Sequence, residues 1–200
     1  MAMTSMTDPS EARAMHNRRD KVVITGAAGL VGQNLVTLLA EQGYTALVAI
    51  DKHEGNLAIL KRLHPAVETL AADLAEPGAW EQAFTGARVV VQLHAQIAGK
   101  TYEPFQRNNL DATAQVLRVM KTLPQAYLVH ASSSVVNSVA DDFYTRSKIE
   151  QEKMVRAAGL RHCVLRPTLM FGWFDPKHLG WLARFMERVP FFPIPGHGRY

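Results

Sequence analysis

Tyr144 and Lys148 stand four residues apart in the run YTRSK, a spacing that puts both side chains on one face of a helix. A phenol with a reference pKa of about 10 is a poor base near neutrality, and a neighbouring ammonium favours its phenolate. Paired in this way, Tyr144 can take the proton of a hydroxyl while the carbon that bears it gives up hydride. Just upstream, ASSSVVN offers Ser132, Ser133 and Ser134 at the end of an apolar run, with ten residues between Ser133 and Tyr144.

Hydride chemistry requires an acceptor, and the stretch Lys21–Gly32, KVVITGAAGLVG, has the composition to hold one. Val22, Val23 and Ile24 read as a strand buried on both faces of a parallel sheet. Three glycines follow with TGxxGxxG spacing. Gly26 permits a tight turn, Gly29 lets the backbone approach phosphates, and Gly32 lets the next helix pack closely on the strand. A helix over 30–42 would then aim its free N–H groups and positive dipole end at a pyrophosphate. Gly26, Ala28, Gly29, Leu30 and Val31 are the candidate contacts. Nineteen residues beyond Gly32, the run TALVAID ends in Asp51, whose carboxylate can accept both hydroxyls of an adenosine ribose and would repel a 2′-phosphate. Lys52 is the only adjacent cation and no arginine stands beside Asp51, so the expected dinucleotide is NAD rather than NADP.

The elements that must position these residues follow from an alternation of strand-like and helical segments without repeats, as in a doubly wound sheet. Strands are expected at 21–25, 45–50, 67–70, 88–93, 126–131 and 162–166, and helices at 30–42, 54–63, 78–84, 104–122, 144–158 and 177–188. Right-handed crossovers then gather all strand C-termini along one edge. With 200 residues, 48% hydrophobic and 20% charged, the chain can build one well-cored domain. The net charge of +4 is mild, and Arg13, Arg18, Arg19 and Lys21 read as a solvated terminus rather than a nucleic-acid arm. No run has signal-peptide or membrane-span character, so neither membrane nor nucleic acid is an expected partner. Cys163, the one cysteine, allows no internal disulfide and fits a reducing, cytoplasmic setting; it reads as a strand residue. The eight histidines lack tight metal-ligand spacing, no metal is expected, and His94 reads as a packed strand residue.

Together the glycine spacing, Asp51 and Tyr144-Thr-Arg-Ser-Lys148 resemble the extended short-chain dehydrogenase/reductase family, in particular its NAD-dependent nucleotide-sugar epimerase/dehydratase branch, from about Lys21 to the last residue. The resemblance implies an α/β fold, a Rossmann-type doubly wound parallel sheet. It divides the chain into a flexible tail (1–20), an NAD-binding domain (21–172) and the start of a substrate-binding region (173–200) that is largely missing, because family members continue beyond this point. Further contacts are implied at Asp73 and Leu74 with the adenine, although Asp73 could instead cap the helix near Pro77. Ala95 and Gln96 would lie beside the dinucleotide, Gln96 standing where a small residue is usual. Asn109 and Thr113 align with a helix motif that stabilises a kink beneath the lysine, and the resemblance also counts Asn109 and Tyr144 among the cofactor residues. Pro167 and Thr168 would close beside the nicotinamide, with Arg166 supporting the local fold. Lys148 would also hold the nicotinamide ribose.

Within the resemblance, a Ser or Thr at the end of strand five binds the reacting oxygen. Reading Val136 as the valine before the family's Tyr-Gly pair selects Ser133, the preferred register; anchoring on the triple serine selects Ser134. The Tyr-Gly pair itself is replaced by Asn137-Ser138. Related 4,6-dehydratases carry an Asp-Glu pair after the active-site residue, and here Ser134 and Val135 occupy those places. A nucleotide-sugar 4-epimerase is therefore favoured over a dehydratase. A hydroxysteroid-type dehydrogenase and a non-catalytic NAD-binding scaffold are the alternatives, the short Ser133–Tyr144 connection suiting the latter. A homodimer through helices 104–122 and 144–158 is expected. The aromatic tract Trp173, Phe174, Trp181, Phe185, Phe191 and Phe192 reads as helix packing, with exposed apolar surface near 181–195 as a liability.

Overall fold

In the computed structural model, which describes residues 17–172, 174 and 179–189, each short run of branched apolar residues forms a strand. The six are β1 (Lys21–Thr25), β2 (Leu47–Asp51), β3 (Glu68–Ala71), β4 (Ala87–Gln92), β5 (Tyr127–Ala131) and β6 (His162–Leu165). They pair in parallel as one sheet of order β3-β2-β1-β4-β5-β6, with Ile24 opposite Ala49 on one side and Val91 on the other. This is the doubly wound arrangement, and every strand lies within two residues of its expected span.

Period-two alternation divides the core between the two faces. Val22, Ile24, Leu47 and Ala49 pack with Val36 of α1 (Leu30–Glu41) and Leu60 of α2 (Glu54–Leu63). Val23, Val48, Ile50, Val90 and Leu128 pack on the other face with Trp80, Phe84, Val116 and Val155. Because successive residues of β1 and β2 serve opposite faces, these strands read as unbroken apolar runs.

Three local differences from expectation bear on the site. The segment at 78–84 is a 3-10 turn, Ala79–Phe84. The helix expected over 104–122 is compound: an α turn at Glu103–Phe105, a π turn at Gln106–Asp111, then α3 (Ala112–Met120). The π turn carries Asn108 and Asn109, and such insertions change the direction in which a helix presents its side chains. A further 3-10 turn, Ser134–Asn137, follows β5 and is led by Ser133.

The helix bearing Tyr144 and Lys148 is α4 (Phe143–Ala157); it starts at Asp142, whose Oδ1 accepts the Thr145 N–H at 2.8 Å. The last described helix, α5 (Leu179–Arg188), corrects the aromatic expectation. None of its residues is buried; Trp181 and Phe185 stack on each other with centroids 5.4 Å apart, and Trp181 stays 56% exposed. The helix is amphipathic, but no described element covers its apolar face. Trp173, Phe191 and Phe192 lie outside the described residues, as do residues 1–16.

Candidate functional site

The chain reverses its direction across the sheet between β1 and β4, and a crevice opens there at the strand C-termini, the place where such sheets bind ligands. A cavity of about 730 Å³ occupies it, lined by Gly26, Ala28, Gly29, Leu30, Asp51, Asp73, Leu74, Ala95 and Gln96 among others. Gly26 has φ +70°, and a Cβ there would lie 2.5 Å from the His94 backbone nitrogen, so only glycine lets β1 turn against the end of β4. At Gly32 a Cβ would meet the Ala27 backbone at 2.5 Å, which fixes how closely α1 packs. No side chain caps α1 and no acidic residue stands in its first turn, so no side chain competes there with an anion.

Asp51 is buried at the other side of the crevice, its Oδ2 accepting the Ala28 N–H and its Oδ1 the His53 N–H, both at 3.0 Å. These bonds orient the carboxylate, and each oxygen keeps a second acceptor site for a ribose hydroxyl. The residues fit a dinucleotide: a close backbone loop for the pyrophosphate, an oriented carboxylate for the ribose, and Leu74 as an apolar wall. Asp73 is half-engaged elsewhere. Burial opposes its ionisation, but the Ala75 N–H and the Arg107 guanidinium hold its carboxyl below the usual range.

The reactive cluster lies beside β5. Ser133 stands beside Tyr144, close enough for its side chain to act on the phenol. Lys148, one of the most deeply buried side chains, donates from Nζ to the Ala131 carbonyl at 2.8 Å and to Gln151 Oε1 at 2.5 Å. Burial pulls its pKa down to about 8, with Glu152 acting in the opposite direction. Tyr144 departs from expectation: burial raises its phenol above the ordinary value, the neighbouring Ser133 side chain works against that rise, and Asp142 adds to it. Lys148 is not what sets it, because the ammonium is committed to the strand end and to Gln151. Ser134 instead donates its N–H to the Pro167 carbonyl at 2.9 Å, joining the β5 and β6 termini.

Several of the expected cofactor residues do not line this cavity. Asn109 is fully buried; Oδ1 accepts the Gln96 N–H at 2.6 Å, while Nδ2 donates to the Gln96 carbonyl at 3.1 Å and to Ser147 Oγ at 2.8 Å. Its amide is thereby spent, and it clamps the loop after β4 onto α4 rather than facing the cavity. Val31, Pro167, Thr168, Tyr144 and Lys148 are likewise outside the lining of the cavity.

His94 is the reverse case. Expected to pack within a strand, it lies beyond the end of β4 and lines the cavity, with Nδ1 2.8 Å from Thr25 Oγ1. Burial, then Lys148 and Lys52, bring its pKa down to about 3, so the ring is neutral. Its place one residue before Ala95 was the available signal. Thr113, aligned with the kink motif, joins Gln92 and Gln151 at 2.6 and 2.8 Å. Among the described residues there is no cluster of His, Cys, Asp or Glu suited to a metal, and no helix long and apolar enough to cross a membrane.

Fold and site thus define a dinucleotide-binding α/β protein of the extended short-chain dehydrogenase/reductase type. Residues 22–190 match the model of the NAD dependent epimerase/dehydratase family, and the chain belongs to that family. A ceramide reductase of Caulobacter vibrioides is 29% identical over 181 residues, which cover 88% of this chain and 54% of the relative. A 3 beta-hydroxysteroid dehydrogenase/Delta 5-->4-isomerase of Mycobacterium tuberculosis is 28% identical, covering 76% and 47%. The chain therefore spans about half the length of these curated relatives. Among solved structures, the UDP-glucuronic acid 4-epimerase of Bacillus cereus in complex with NAD superimposes with a TM-score of 0.68 at 22% identity, over 76% of this chain and 57% of that one.

Proposed function

We propose that this protein binds NAD and oxidises a secondary alcohol or reduces the matching ketone, with Tyr144 moving the proton, Ser133 orienting the reacting oxygen and Lys148 supporting both. The reading rests on Ser133 standing beside Tyr144, next to a buried lysine, at the same sheet edge as the dinucleotide cavity. Gly26, Ala28, Gly29, Leu30 and Val31 would hold the pyrophosphate, Asp51 the adenosine ribose, Asp73 and Leu74 the adenine, and Ala95, Gln96, Lys148, Pro167 and Thr168 the nicotinamide half. When bound, the nicotinamide supplies the acceptor and donor of hydride. The protein's own task is the proton. The Ser133 side chain favours the Tyr144 phenolate, which makes this serine the better partner.

For substrate, we favour the hydroxyl of a nucleotide sugar and 4-epimerisation, since Ser134 and Val135 supply no acid and base for dehydration. A second reading, an apolar alcohol of steroid or lipid type, is favoured by the exposed Ile97, Val139, Leu169, Met170 and Phe171, which all follow β4, β5 or β6, and by the names of the curated relatives. A cytoplasmic homodimer paired through the helices at 104–122 and 144–158 completes the proposal; sedimentation as a monomer would remove its dimeric part.

The test mixes the purified protein with NAD and a panel of UDP-sugars, sterols and ceramide-type lipids, following reduced nicotinamide and product stereochemistry. Inversion of a sugar carbon supports the first reading, and ketone formation from a sterol or lipid the second. In either case Tyr144→Phe should lower turnover by roughly 10²–10⁴-fold while leaving NAD affinity unchanged. NAD binding without turnover of any panel member would favour the scaffold alternative, and tighter binding of NADP than of NAD would refute the role given to Asp51.

A further inference from the structure

A dinucleotide carries its negative charge on the pyrophosphate, and among the described residues lining the cavity there is one lysine, Lys52, and no arginine. The two acidic side chains of that lining, Asp51 and Asp73, oppose an anion, so besides the N-terminus of α1 the side-chain charge that can offset them is this lysine. Lys52 follows Asp51 at the end of β2, and its side chain is not left free to wander. Nζ donates to Asn108 Oδ1 at 2.7 Å, and Asn108 Nδ2 donates in turn to Gln96 Oε1 at 2.8 Å. Gln96 is itself fixed, since Asn109 clamps its backbone and its Nε2 donates to the Ala98 carbonyl. The relay joins β2, the π turn and the loop after β4, and Lys52, Asn108 and Gln96 all line the cavity. Lys52 and Asn108 also line an adjoining groove of about 640 Å³, so their hydrogen bond lies between the two spaces.

Resting on the NAD reading, we propose that Lys52 is the side-chain cation that meets the negative charge of the bound dinucleotide, with Asn108 and Gln96 as its positioning residues. One of the three ammonium protons is used on Asn108, which leaves two for phosphate or ribose oxygens. The charge already acts across the crevice: it helps hold Asp73 below its ordinary range on one side, after the Ala75 and Arg107 contacts, and His94 down on the other, after burial and Lys148. A lysine tied at its tip loses less rotational freedom on meeting the anion than a free one, which is how a neutral asparagine strengthens binding without touching the ligand.

The test is the affinity of the purified protein for NAD, by calorimetry at about 0.02 M and about 0.5 M salt. Lys52 is exposed and pairs with no acidic group, so Lys52→Gln leaves the fold intact, as far-ultraviolet circular dichroism should confirm. At low salt this variant is expected to bind NAD about tenfold more weakly and to lose most of the salt dependence of the parent. Asn108→Ala should cost about threefold, keep the salt dependence, and cost nothing further in the Lys52→Gln background. The proposal is overturned if Lys52→Gln binds as tightly, or with as steep a salt dependence, as the parent, or if the Asn108→Ala loss persists without Lys52. No NAD binding by the parent would overturn the cofactor reading itself, a result distinct from either of these.

Discussion

Glu152 should set a large part of the acid stability of the protein, because its carboxylate is enclosed by donors. The side chain is 6% exposed; Oε1 accepts from Arg166 at 2.5 Å and from Arg156 at 2.9 Å, and Oε2 accepts from Ser132 at 2.7 Å and from Arg166 at 3.1 Å. The Arg166 hydrogen bond, opposed by burial and aided by Ser132 and Arg156, brings its pKa from 4.5 to about 2. A depressed carboxylate contributes stability that is complete above the unfolded value and lost as pH falls through the folded one, so the window runs from about 4.5 down to about 2. Two and a half pH units at 1.36 kcal/mol each correspond to about 3 kcal/mol. The assay is urea unfolding of the parent and of Glu152→Gln from about pH 6 to about pH 2. The parent should lead by about 3 kcal/mol at the upper end, and the lead should vanish at the lower, since the neutral amide has nothing to titrate. Histidines that titrate in both proteins cancel in the difference. A difference that stays constant with pH would refute the reasoning, whatever its size.

Other outcomes follow from the same geometry. His130 is fully buried on β5 with neither ring nitrogen hydrogen-bonded, and burial, then Lys148 and His94, bring its pKa from 6.5 to about 3. The unfolded chain therefore binds the extra proton between those values and stability falls as pH drops through them; His130→Leu should remove that part of the acid dependence in unfolding curves and be neutral or stabilising at about pH 7. Gly26→Ala would force a Cβ against the His94 backbone at positive φ, and should cost about 3 kcal/mol of stability in denaturant titrations and weaken NAD binding by more than tenfold.

The alternating pattern of the chain carried most of the fold, because branched runs such as VVI and ALVAI can only be satisfied between two helical layers, and TGxxGxxG fixes where the first crossover turns. Asp51 and the spacing of Tyr144 and Lys148 were legible for the same reason: local geometry sets a helix face and a strand end. The interior of the helix expected at 104–122 was not legible. Its π turn is held by bonds to distant partners, with Asn109 on Gln96 and Ser147, and Gln151 on the Asn109 carbonyl at 3.3 Å. Nothing in the run RNNLDAT records those partners.

By itself, the sequence determined a strand, a glycine loop, a helix start and an acidic strand end in order, which amounts to a dinucleotide site, and it placed a tyrosine and a lysine one helical turn apart. Only the tertiary structure decided which serine stands beside the tyrosine, that the lysine is anchored on the Ala131 carbonyl and Gln151 with one ammonium proton left over, and that Asn109 clamps a loop instead of facing the cavity. The physical reason is one of range. Backbone conformation and side-chain period are set by neighbours along the chain, whereas hydrogen-bond partners and desolvation are set by whatever the folded sheet and helices bring within a few ångströms.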